Sequence, residues 1–595
     1  MRDSAPTVAK AKECLKLGLV EAAVDMLGLV CKKEPRNAEA AHLHGLALFQ
    51  TGMGDRGIAE LERAIKLHPS AAALHIALAN AQMTRQRHEG AAAGFQKAIK
   101  LDSKAGPAHL GLALALTRLH DLSGAIAAAR EAIRLMPNSF QPYANLSTAL
   151  REAGEVDEAI SVLEGARQRF PKSAEILGLL LTARNYSSKS DPERCVQEAR
   201  QFGALVEPPD QVDWPNLKEP DRRLRVGYLS ADLRTHSVAY FFEPILANHD
   251  RSDFEPFVYS LSPRTDATTE RLRSHAAQWI DASRLDTNSL LAKLREDRLD
   301  ILIELGGHTN NNRLAALARA AAPIQVTYLG YPNTTGVPAI GYRIVDALTD
   351  PTGAESYATE HLLRLPRCFI CYSPPSDAPQ PSPPPCERSG FVTFGCFNSL
   401  PKIDPQVIDA WARLLEAFDN SHLFLKNRSF ADSTVREHWM QLFAERGIDP
   451  DRVELTGRTA TPAEHLAMYA RVDVALDTFP YNGTTTTCEA LWMGVPVVTL
   501  EGRTHAGRVG VSLLHAVGLG ELVAPTVERH VAIARNLAAD STRLSELRRT
   551  LRARLADSPL CDSRSFVRNL EAAYRRIWQS WCNNPGSFTS PAMPR

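Results

Sequence analysis

The sequence of 595 residues lacks a net charge, a long apolar run and an apolar segment near its start. Lysine plus arginine and aspartate plus glutamate both total 68, so no overall field attracts nucleic acid or an anionic membrane. No apolar run is long enough to span a bilayer, and no secretory h-region is present. These absences predict a cytoplasmic protein that binds neither nucleic acid nor membrane. They leave the oligomeric state open.

The sequence also lacks a cysteine framework, because its ten cysteines are scattered. Only Cys368, Cys371, Cys386 and Cys396 lie close together along the chain. The first two form a C-x-x-C pair, but no second pair and no histidine pair follows at zinc-finger spacing. We therefore predict no metal site.

A period of 34 residues runs through the first part of the chain, marked by Pro35, Pro69, Ser103, Pro137 and Pro171. Mostly small residues recur 5, 12 and 24 positions before each marker. These residues are Val30, Ala64, Ala98, Ala132 and Ala166; Ala23, Gly57, Ala91, Ala125 and Ala159; and Ala11, Gly45, Ala79, Ala113 and Ser147. The pattern resembles the tetratricopeptide repeat, with two helices per repeat that cross at small side chains. We predict five repeats over residues 1–173, stacked as an α-solenoid whose groove binds proteins.

After the repeats, residues 174–222 are predicted to form a capping or connecting helix and a proline-rich linker. Strand and helix patterns then alternate over 223–370 and again over 390–582, which predicts two α/β lobes. The proline-dense segment 371–389 between them is predicted to be an extended linker, and 583–595 a tail.

The segment Leu476–Leu500 has the order strand, loop, helix, strand. Threonines at 484–487 stand where the helix begins, and free backbone N–H groups there favour an anion such as a pyrophosphate. Alternatively, Thr486 and Glu489 form a capping box that satisfies those groups. The position after a strand favours the ligand, since open α/β sheets bind ligands at the carboxyl ends of their strands. Gly494 is predicted to end the helix.

Histidines follow two strands of the first lobe. His236 lies between the run LRVGYLS and a helix, where the helix dipole disfavours imidazolium and leaves a nitrogen free to accept a proton. The alternative is that His236 only caps the helix. His308 follows the strand DILIEL, and a polar loop over 331–336 follows the next strand. Three polar loops at corresponding strand ends predict one crevice.

Two further candidates lie in the second lobe. Lys402 stands between a strand and a helix that begins at Pro405, where it either neutralises a diphosphate or is a solvated surface charge. His465 lies in the first turn of a helix that begins at Pro462.

Four motifs together resemble the nucleocytoplasmic O-GlcNAc transferase family: GYLSADLRTHS at 227–237, APIQVTYLGYPNTTG at 322–336, FNSLPKIDP at 397–405, and the segment 476–500. No P-loop or G-x-G-x-x-G pattern is present. The resemblance covers nearly the whole chain and implies an α-solenoid followed by a GT-B fold of two Rossmann-like lobes. It also implies an inverting glycosyltransferase that moves N-acetylglucosamine from UDP-GlcNAc to Ser or Thr of intracellular proteins.

The resemblance further implies roles for individual residues. Lys402 contacts the donor diphosphate, with Thr484, Thr485 and Thr486 at the helix start, and Glu489 holds the ribose. The nucleoside is lined by Ser399, Ala460, Pro462 and His465. His236, as base or orienter, and less directly His308 face the acceptor and the sugar. No cofactor or metal is expected, since no Asp-x-Asp pair stands near these loops.

The chain departs from the animal enzymes of this family. They read NGHTTGMD where this chain has NGTTTTCE from Asn482, and they carry a long insertion between the lobes. The threonine-rich loop is similar to SPINDLY-type protein O-fucosyltransferases, so GDP-fucose is an alternative donor. Only Asn80 and Asn145 stand where animal repeats carry an asparagine ladder. A third alternative is a catalytically inactive repeat scaffold.

Overall fold

The computed structural model describes residues 6–583. Residues 1–5 of the predicted repeat region and 584–595 of the predicted tail therefore lie outside the described residues. The chain divides into two compact units, one formed by 1–166 with 431–435 and the other by 167–430 with 436–595. Within the described residues, no helix is both long enough and apolar enough to cross a membrane.

The first unit consists of five helix pairs, one for each predicted repeat. Their bounds are α1 Val8–Lys16, α2 Val20–Lys33, α3 Ala38–Gln50, α4 Gly54–Leu67, α5 Ala72–Thr84, α6 His88–Leu101, α7 Gly106–Leu119, α8 Leu122–Leu135, α9 Gln141–Ala153 and α10 Val156–Arg169. The small residues of the period are needed at the crossings: a Cβ on Gly45 would lie 2.9 Å from the carbonyl oxygen of Gly57. The helical repeats are confirmed.

A sixth helix pair follows and belongs to the second unit. Its helices are α11 Ala174–Arg184 and α12 Pro192–Leu205, which lie in the region predicted to form a capping or connecting helix. Arg184 and Glu198 join them through a buried ion pair of 2.6 Å. Residues 206–222 then run to the first strand without helix or strand.

The first lobe is built on a seven-stranded parallel sheet of order β3-β2-β1-β4-β5-β6-β7. Its elements are β1 Leu224–Ser230, α13 Ser237–Asn248, β2 Phe254–Ser260, α14 Ala267–His275, β3 Gln278–Asp281, α15 Thr287–Glu296, β4 Ile301–Glu304, α16 Leu314–Ala318, β5 Ile324–Thr327, β6 Tyr342–Asp346 and β7 His361–Leu365. The central strands are buried along their whole length, as parallel strands covered on both faces require.

The second lobe has a six-stranded parallel sheet of order β10-β9-β8-β11-β12-β13. Its elements are α17 Cys386–Ser389, β8 Val392–Cys396, α18 Pro405–Ala417, β9 Ser421–Lys426, α19 Ser433–Ala444, β10 Val453–Thr456, α20 Pro462–Ala467, β11 Val474–Leu476, α21 Thr485–Trp492, β12 Val497–Leu500, α22 Val509–Ala516, β13 Val523–Ala524, α23 Val527–Ala539, α24 Ser541–Ala556 and α25 Ser563–Asn583. Short 3-10 turns occur at Ala354–Tyr357, Leu400–Lys402, Arg428–Ala431, Pro450–Arg452, Met468–Arg471, His505–Gly507 and Gly520–Leu522. A solenoid followed by two parallel-sheet lobes is the predicted fold class.

Helix α25 follows the second lobe in sequence but packs against the first. The Tyr574 hydroxyl lies 3.4 Å from that of Tyr228 on β1, and Glu571 lies 2.8 Å from His249 at the end of α13. Sequence alone grouped residues 563–582 with the second lobe. In the structure, α25 instead packs its apolar face against the first lobe.

The two lobes meet through polar contacts after β6. His505 lies 2.5 Å from Asp350, and Ser512 donates to Asp346 over 2.6 Å. Burial alone would raise the pKa of Asp350, but His505 and Arg343 beside it hold that pKa well below its usual range. These contacts hold the two sheets in one unit.

Candidate active site

The loop between β11 and α21 is held by two buried side chains. Asp477, only 1% exposed, accepts from the N–H of Gly483 over 2.6 Å and from that of Thr478 over 2.8 Å. Asn398 follows β8 and donates to the carboxylate of Asp477 over 3.2 Å. Its side-chain oxygen accepts from the Thr486 hydroxyl over 2.5 Å. Asp477 and Asn398 therefore fix the conformation of the loop without a ligand.

Helix α21 begins at this loop without a side-chain cap. The proposed capping box of Thr486 and Glu489 is absent, because the hydroxyl of Thr486 donates to Asn398 and Glu489 lies against His465. Thr484 is the N-cap residue, and its side chain makes no capping hydrogen bond to the N–H groups that follow it. The end of the helix agrees with the prediction, since Gly494 has a φ of +78° there. The helix start therefore presents N–H groups and a positive dipole end to an anion.

Lys402 points its ammonium at the same loop. Its Nζ donates to the carbonyl oxygen of Asn482 over 2.7 Å and lies 4.0 Å from the ring centroid of Tyr481. Burial lowers the pKa of Lys402 to about 8, against the opposing effect of the Asp477 carboxylate. Lys402 is therefore not a solvated surface lysine, which was the alternative interpretation. Asn482, which Lys402 contacts, lies two residues before Thr484, the N-cap of the open helix start.

A chain of three polar side chains borders this site. Lys426, at the end of β9, lies 2.8 Å from Nδ1 of His465, and Nε2 of His465 lies 3.1 Å from the carboxylate of Glu489. A lysine that donates to Nδ1 leaves Nε2 as the protonated nitrogen, so neutral His465 donates to Glu489. Burial lowers the pKa of Lys426, which Glu489 counters. The network fixes the orientation of Glu489, the predicted ribose ligand.

The remaining predicted nucleoside residues lie on the rim of this sheet edge. Ser399 and Pro462 are exposed, one after β8 and the other as the first residue of α20. Ala460 is also exposed, and its N–H donates to the Glu464 carboxylate over 2.9 Å. Their roles in binding a nucleoside remain predictions.

His236 caps α13, which was the alternative to a free base. Its Nδ1 accepts from the N–H of Val238 over 3.3 Å, so the lone pair expected to be free is occupied. The neutral ring then carries its proton on Nε2, which lies 3.7 Å from the Asp232 carboxylate and is too far away for a hydrogen bond. Burial lowers the pKa of His236, while Asp232 raises it. The geometry favours a hydrogen-bond donor over a base.

His308 is enclosed, which does not support its predicted place facing the acceptor. It is 5% exposed, and Nε2 donates to the carbonyl oxygen of Thr335 over 2.7 Å. The rings of Phe202 and Tyr331 pack edge-on at 4.5 Å and 5.2 Å. Burial lowers its pKa to about 4. His308 therefore packs between α12 and the first lobe, and its role toward the acceptor stays a prediction.

The helix that carries His236 lies near the donor loop. Tyr240, one turn into α13, has a raised pKa because of burial and, next, the charge of Glu489 on α21. The N–H of Ser373 in the interlobe linker donates to the Tyr240 carbonyl oxygen over 2.9 Å. The structure therefore brings Lys402, Thr484 to Thr486, His465 and Glu489 together at one sheet edge of the second lobe, and Tyr240 of the helix that His236 caps lies within the field of Glu489.

Several residues of this site were not predicted. Asn398 and Asp477 stood inside quoted motifs, and a buried polar residue directly after a strand was the available signal. Lys426 is the last residue of β9, and Lys402 likewise follows a strand, β8. Tyr186, in the loop after α11, stacks on Tyr481 at 4.9 Å, and no sequence signal indicated that contact.

The four neighbouring cysteines do not gather into a ligand group. Cys368 and Cys371 are buried, and Cys368 lies 3.4 Å from the hydroxyl of Ser512. Within residues 6–583, one group of three potential metal-ligating side chains lies close enough to hold an ion, and it is in the helical repeats.

Comparisons with known proteins agree with this architecture. The model of glycosyl transferase family 41 matches residues 203–373 and 388–570. Tetratricopeptide repeat models match 42–107, 76–140 and 116–184.

The chain is similar in sequence to two plant proteins. The probable UDP-N-acetylglucosamine–peptide N-acetylglucosaminyltransferase SPINDLY of Oryza sativa subsp. japonica is 45% identical over 70% of this chain and 45% of its own length. The probable enzyme SEC of Arabidopsis thaliana, with the same activity in its name, is 33% identical over 61% of this chain and 38% of its own. The chain thus spans less than half the length of these relatives.

A solved structure covers more of the molecule. The O-GlcNAc transferase of Thermobaculum terrenum, in a lysine-to-methionine mutant form, superposes with a TM-score of 0.82 and 36% identity. The match covers 87% of this chain and 99% of that chain. By its catalytic lobes, its repeats and these matches, the chain is a member of glycosyl transferase family 41, the O-GlcNAc transferase family that its motifs resembled.

Proposed function

We propose that the chain transfers one sugar from a nucleoside diphosphate donor to Ser or Thr hydroxyls of proteins, with inversion at the anomeric carbon. The proposed donor is UDP-GlcNAc. The observation that carries the proposal is the meeting of Lys402 with the uncapped start of α21, where its ammonium lies 2.7 Å from the Asn482 carbonyl oxygen. A diphosphate is the ligand that a cation and open N–H groups together favour.

In the proposed reaction, the diphosphate is both bound and expelled at this point. Negative charge grows on it as the bond to the sugar breaks. Lys402 and the N–H groups of Thr485 and Thr486 are already oriented toward that charge, because Asp477 and Asn398 hold the loop. Glu489 accepts from the ribose hydroxyls, oriented by His465.

His236 is proposed to orient the acceptor. Its side chain is partly exposed, and its Nε2–H lies 3.7 Å from the Asp232 carboxylate, beyond hydrogen-bond distance, so it is available to donate to an oxygen of the sugar or the acceptor. As the acceptor oxygen attacks the anomeric carbon and the bond to the diphosphate breaks, the hydroxyl proton is proposed to pass to the Asp232 carboxylate beside the ring. One oxygen of that carboxylate lies 3.7 Å from Nε2 of His236.

The proposed transfer needs no metal ion, since Lys402 and the helix start supply the positive charge that a divalent ion supplies elsewhere. The test is turnover in excess EDTA, with and without added Mg²⁺ or Mn²⁺. Loss of transfer in EDTA that Mg²⁺ or Mn²⁺ restores would refute the metal-free mechanism.

GDP-fucose is the second candidate donor. The threonine-rich loop NGTTTTCE favours it, through its similarity to SPINDLY-type O-fucosyltransferases. Radiolabelled UDP-GlcNAc and GDP-fucose, each incubated with the purified chain and an acceptor lysate, decide between them. Incorporation from one donor alone identifies it. Tight nucleotide binding without transfer from either would instead support the inactive scaffold.

The repeat helices are proposed to bind the protein acceptor. Asn80 on α5 is exposed and available for contacts with an extended peptide backbone. Asn80→Ala in the full chain is expected to raise KM for protein acceptors and to leave hydrolysis of the donor unchanged. An unaltered KM for every acceptor would argue against this residue as a contact.

A further inference from the structure

Three polar side chains meet in the repeat unit at a place that the proposed transfer does not use. Cys31 lies near the end of α2, His44 on α3 and Glu60 on α4. One ligand atom of each lies within 4.8 Å of the others. We propose that Cys31, His44 and Glu60 bind a zinc ion that joins three consecutive repeat helices.

The repeat itself shows how unusual these residues are. The three following repeats carry apolar residues or glycine at the equivalent positions, 34 residues apart. In place of Cys31 they have Ile65, Ile99 and Ile133; in place of His44, Leu78, Leu112 and Leu146; in place of Glu60, Gly94, Ala128 and Val162. Three independent departures from the repeat therefore coincide at one point in space.

The equivalent positions farther along form ordinary hydrophobic core. Ile99, Leu112 and Ala128 belong to one continuous apolar cluster through α5 to α10, and Ile133, Leu146 and Val162 belong to it as well. The junction between three helices needs no polar group in order to pack. Replacement of all three residues by metal-ligating types at a single junction points to a ligand and not to packing.

His44 supplies a second, separate observation. It is 7% exposed, and its Nδ1 is buried with no hydrogen-bond partner among residues 6–583. The Glu60 carboxylate lies 3.8 Å from that nitrogen, which is too long for a hydrogen bond. A buried polar atom without a partner calls for an explanation, and an ion is one of the few that apply. Ligands of a tetrahedral ion stand apart by about this distance when each bond is about 2.0 to 2.3 Å.

The ligand set favours zinc over harder cations. A thiolate, an imidazole and a carboxylate are typical zinc ligands, and a water molecule completes four-coordination. Arg63 holds one oxygen of Glu60 through bonds of 3.0 Å and 2.7 Å and is itself anchored to the Pro35 carbonyl oxygen over 2.8 Å. That oxygen is Oε2, the one nearest His44, so Arg63 fixes the position of the carboxylate within the group. Its positive charge also lies beside the Cys31 thiol, where it favours the thiolate. Thiolate and carboxylate together balance the charge of the ion, and binding releases the thiol proton.

The experiment is a Co²⁺ and Zn²⁺ titration of the full-length, tag-free chain after chelator treatment under a reducing agent. Co²⁺ takes the same geometry and shows a thiolate-to-cobalt absorption band only if a cysteine ligates it. We expect one equivalent to bind, with this band, and Zn²⁺ to displace it and raise the Tm of the repeats.

The repeat provides matched variants. Cys31→Ile and His44→Leu restore the residues of the following repeats, and Cys31→Ser removes the thiolate at nearly constant volume. We expect both Cys31 variants to lose the band and His44→Leu to bind Zn²⁺ at least about tenfold more weakly. Cys582→Ser, which leaves all three ligands in place, should match the wild type.

Far-UV circular dichroism checks that each variant keeps its helices. Binding of less than one equivalent by the wild type would overturn the proposal, and so would a thiolate band that persists in Cys31→Ser. These readouts do not depend on transfer. The outcome is therefore separate from that of the proposed function.

Discussion

Lys402 allows the strongest test of the proposed donor site, because its charge titrates in an accessible range. Burial lowers its pKa to about 8. The residue is then mostly protonated at pH 7 and mostly neutral at pH 9. Since kcat/KM reports the ionisation of the free enzyme, it should be high below pH 8 and fall as pH rises through it.

The size of the effect follows from the position of the ammonium. A unit charge about 4 Å from a phosphate oxygen contributes about 4 kcal/mol at an effective dielectric constant of 20. Loss of one comparable electrostatic contact in an active site costs about 10²- to 10³-fold in kcat. We therefore expect Lys402→Ala to lower kcat by about 10²-fold or more.

The assay is label transfer from the active donor between pH 6.5 and 9.5 for the wild type, Lys402→Ala and Lys402→Arg. Arginine stays charged throughout, so Lys402→Arg should lose the alkaline decline even if its different shape lowers the rate. Far-UV circular dichroism and Tm verify the fold. A wild-type profile that is flat to pH 9.5, or near-normal turnover of folded Lys402→Ala, would refute the assignment of Lys402 to the diphosphate.

Three further predictions concern the histidines and Glu489. Glu489→Ala should raise KM for the donor about 10- to 100-fold with little change in kcat, and an unchanged KM would contradict ribose binding. His236→Gln, which can donate but cannot act as a base, should retain more kcat than His236→Ala; equal loss in both, at unchanged nucleotide affinity, would favour the base. His308 and His530 are buried with pKa values of about 4, below the ordinary 6.5, so the unfolded chain binds more protons between pH 6.5 and 4. As the pH is lowered through that window, the free energy of unfolding should therefore decrease, by about 2 kcal/mol per histidine at pH 5. His308→Phe should reduce the dependence of Tm on pH.

Much of the architecture could be predicted because its signals are local. The 34-residue period marks helix pairs through small residues at fixed spacing, and the last strand predicted within Leu476–Leu500 is β12. Apolar runs interrupted by glycine and proline specify strands and turns without reference to the rest of the chain.

Other elements have no such local signal. The edge strand β3, Gln278–Asp281, is short and not fully buried along any part of its length, so it has no clear apolar pattern. The amphipathic pattern of α25 predicts a helix with one apolar face. It does not show that the first lobe receives that face, since many surfaces accept the same pattern.

The sequence alone determined which side chains follow the strands at their carboxyl ends, and so it predicted that Lys402, Thr484 and Glu489 lie beside one sheet edge. Only the tertiary structure decided what those and other polar groups contact. His236 has its Nδ1 lone pair occupied by its own helix, and His308 is enclosed by α12, although both follow a strand in the same way. Likewise, Cys31 and His44 became neighbours only when α2 packed on α3. The physical reason is that a free lone pair or a shared ligand depends on partners that folding brings from distant parts of the chain.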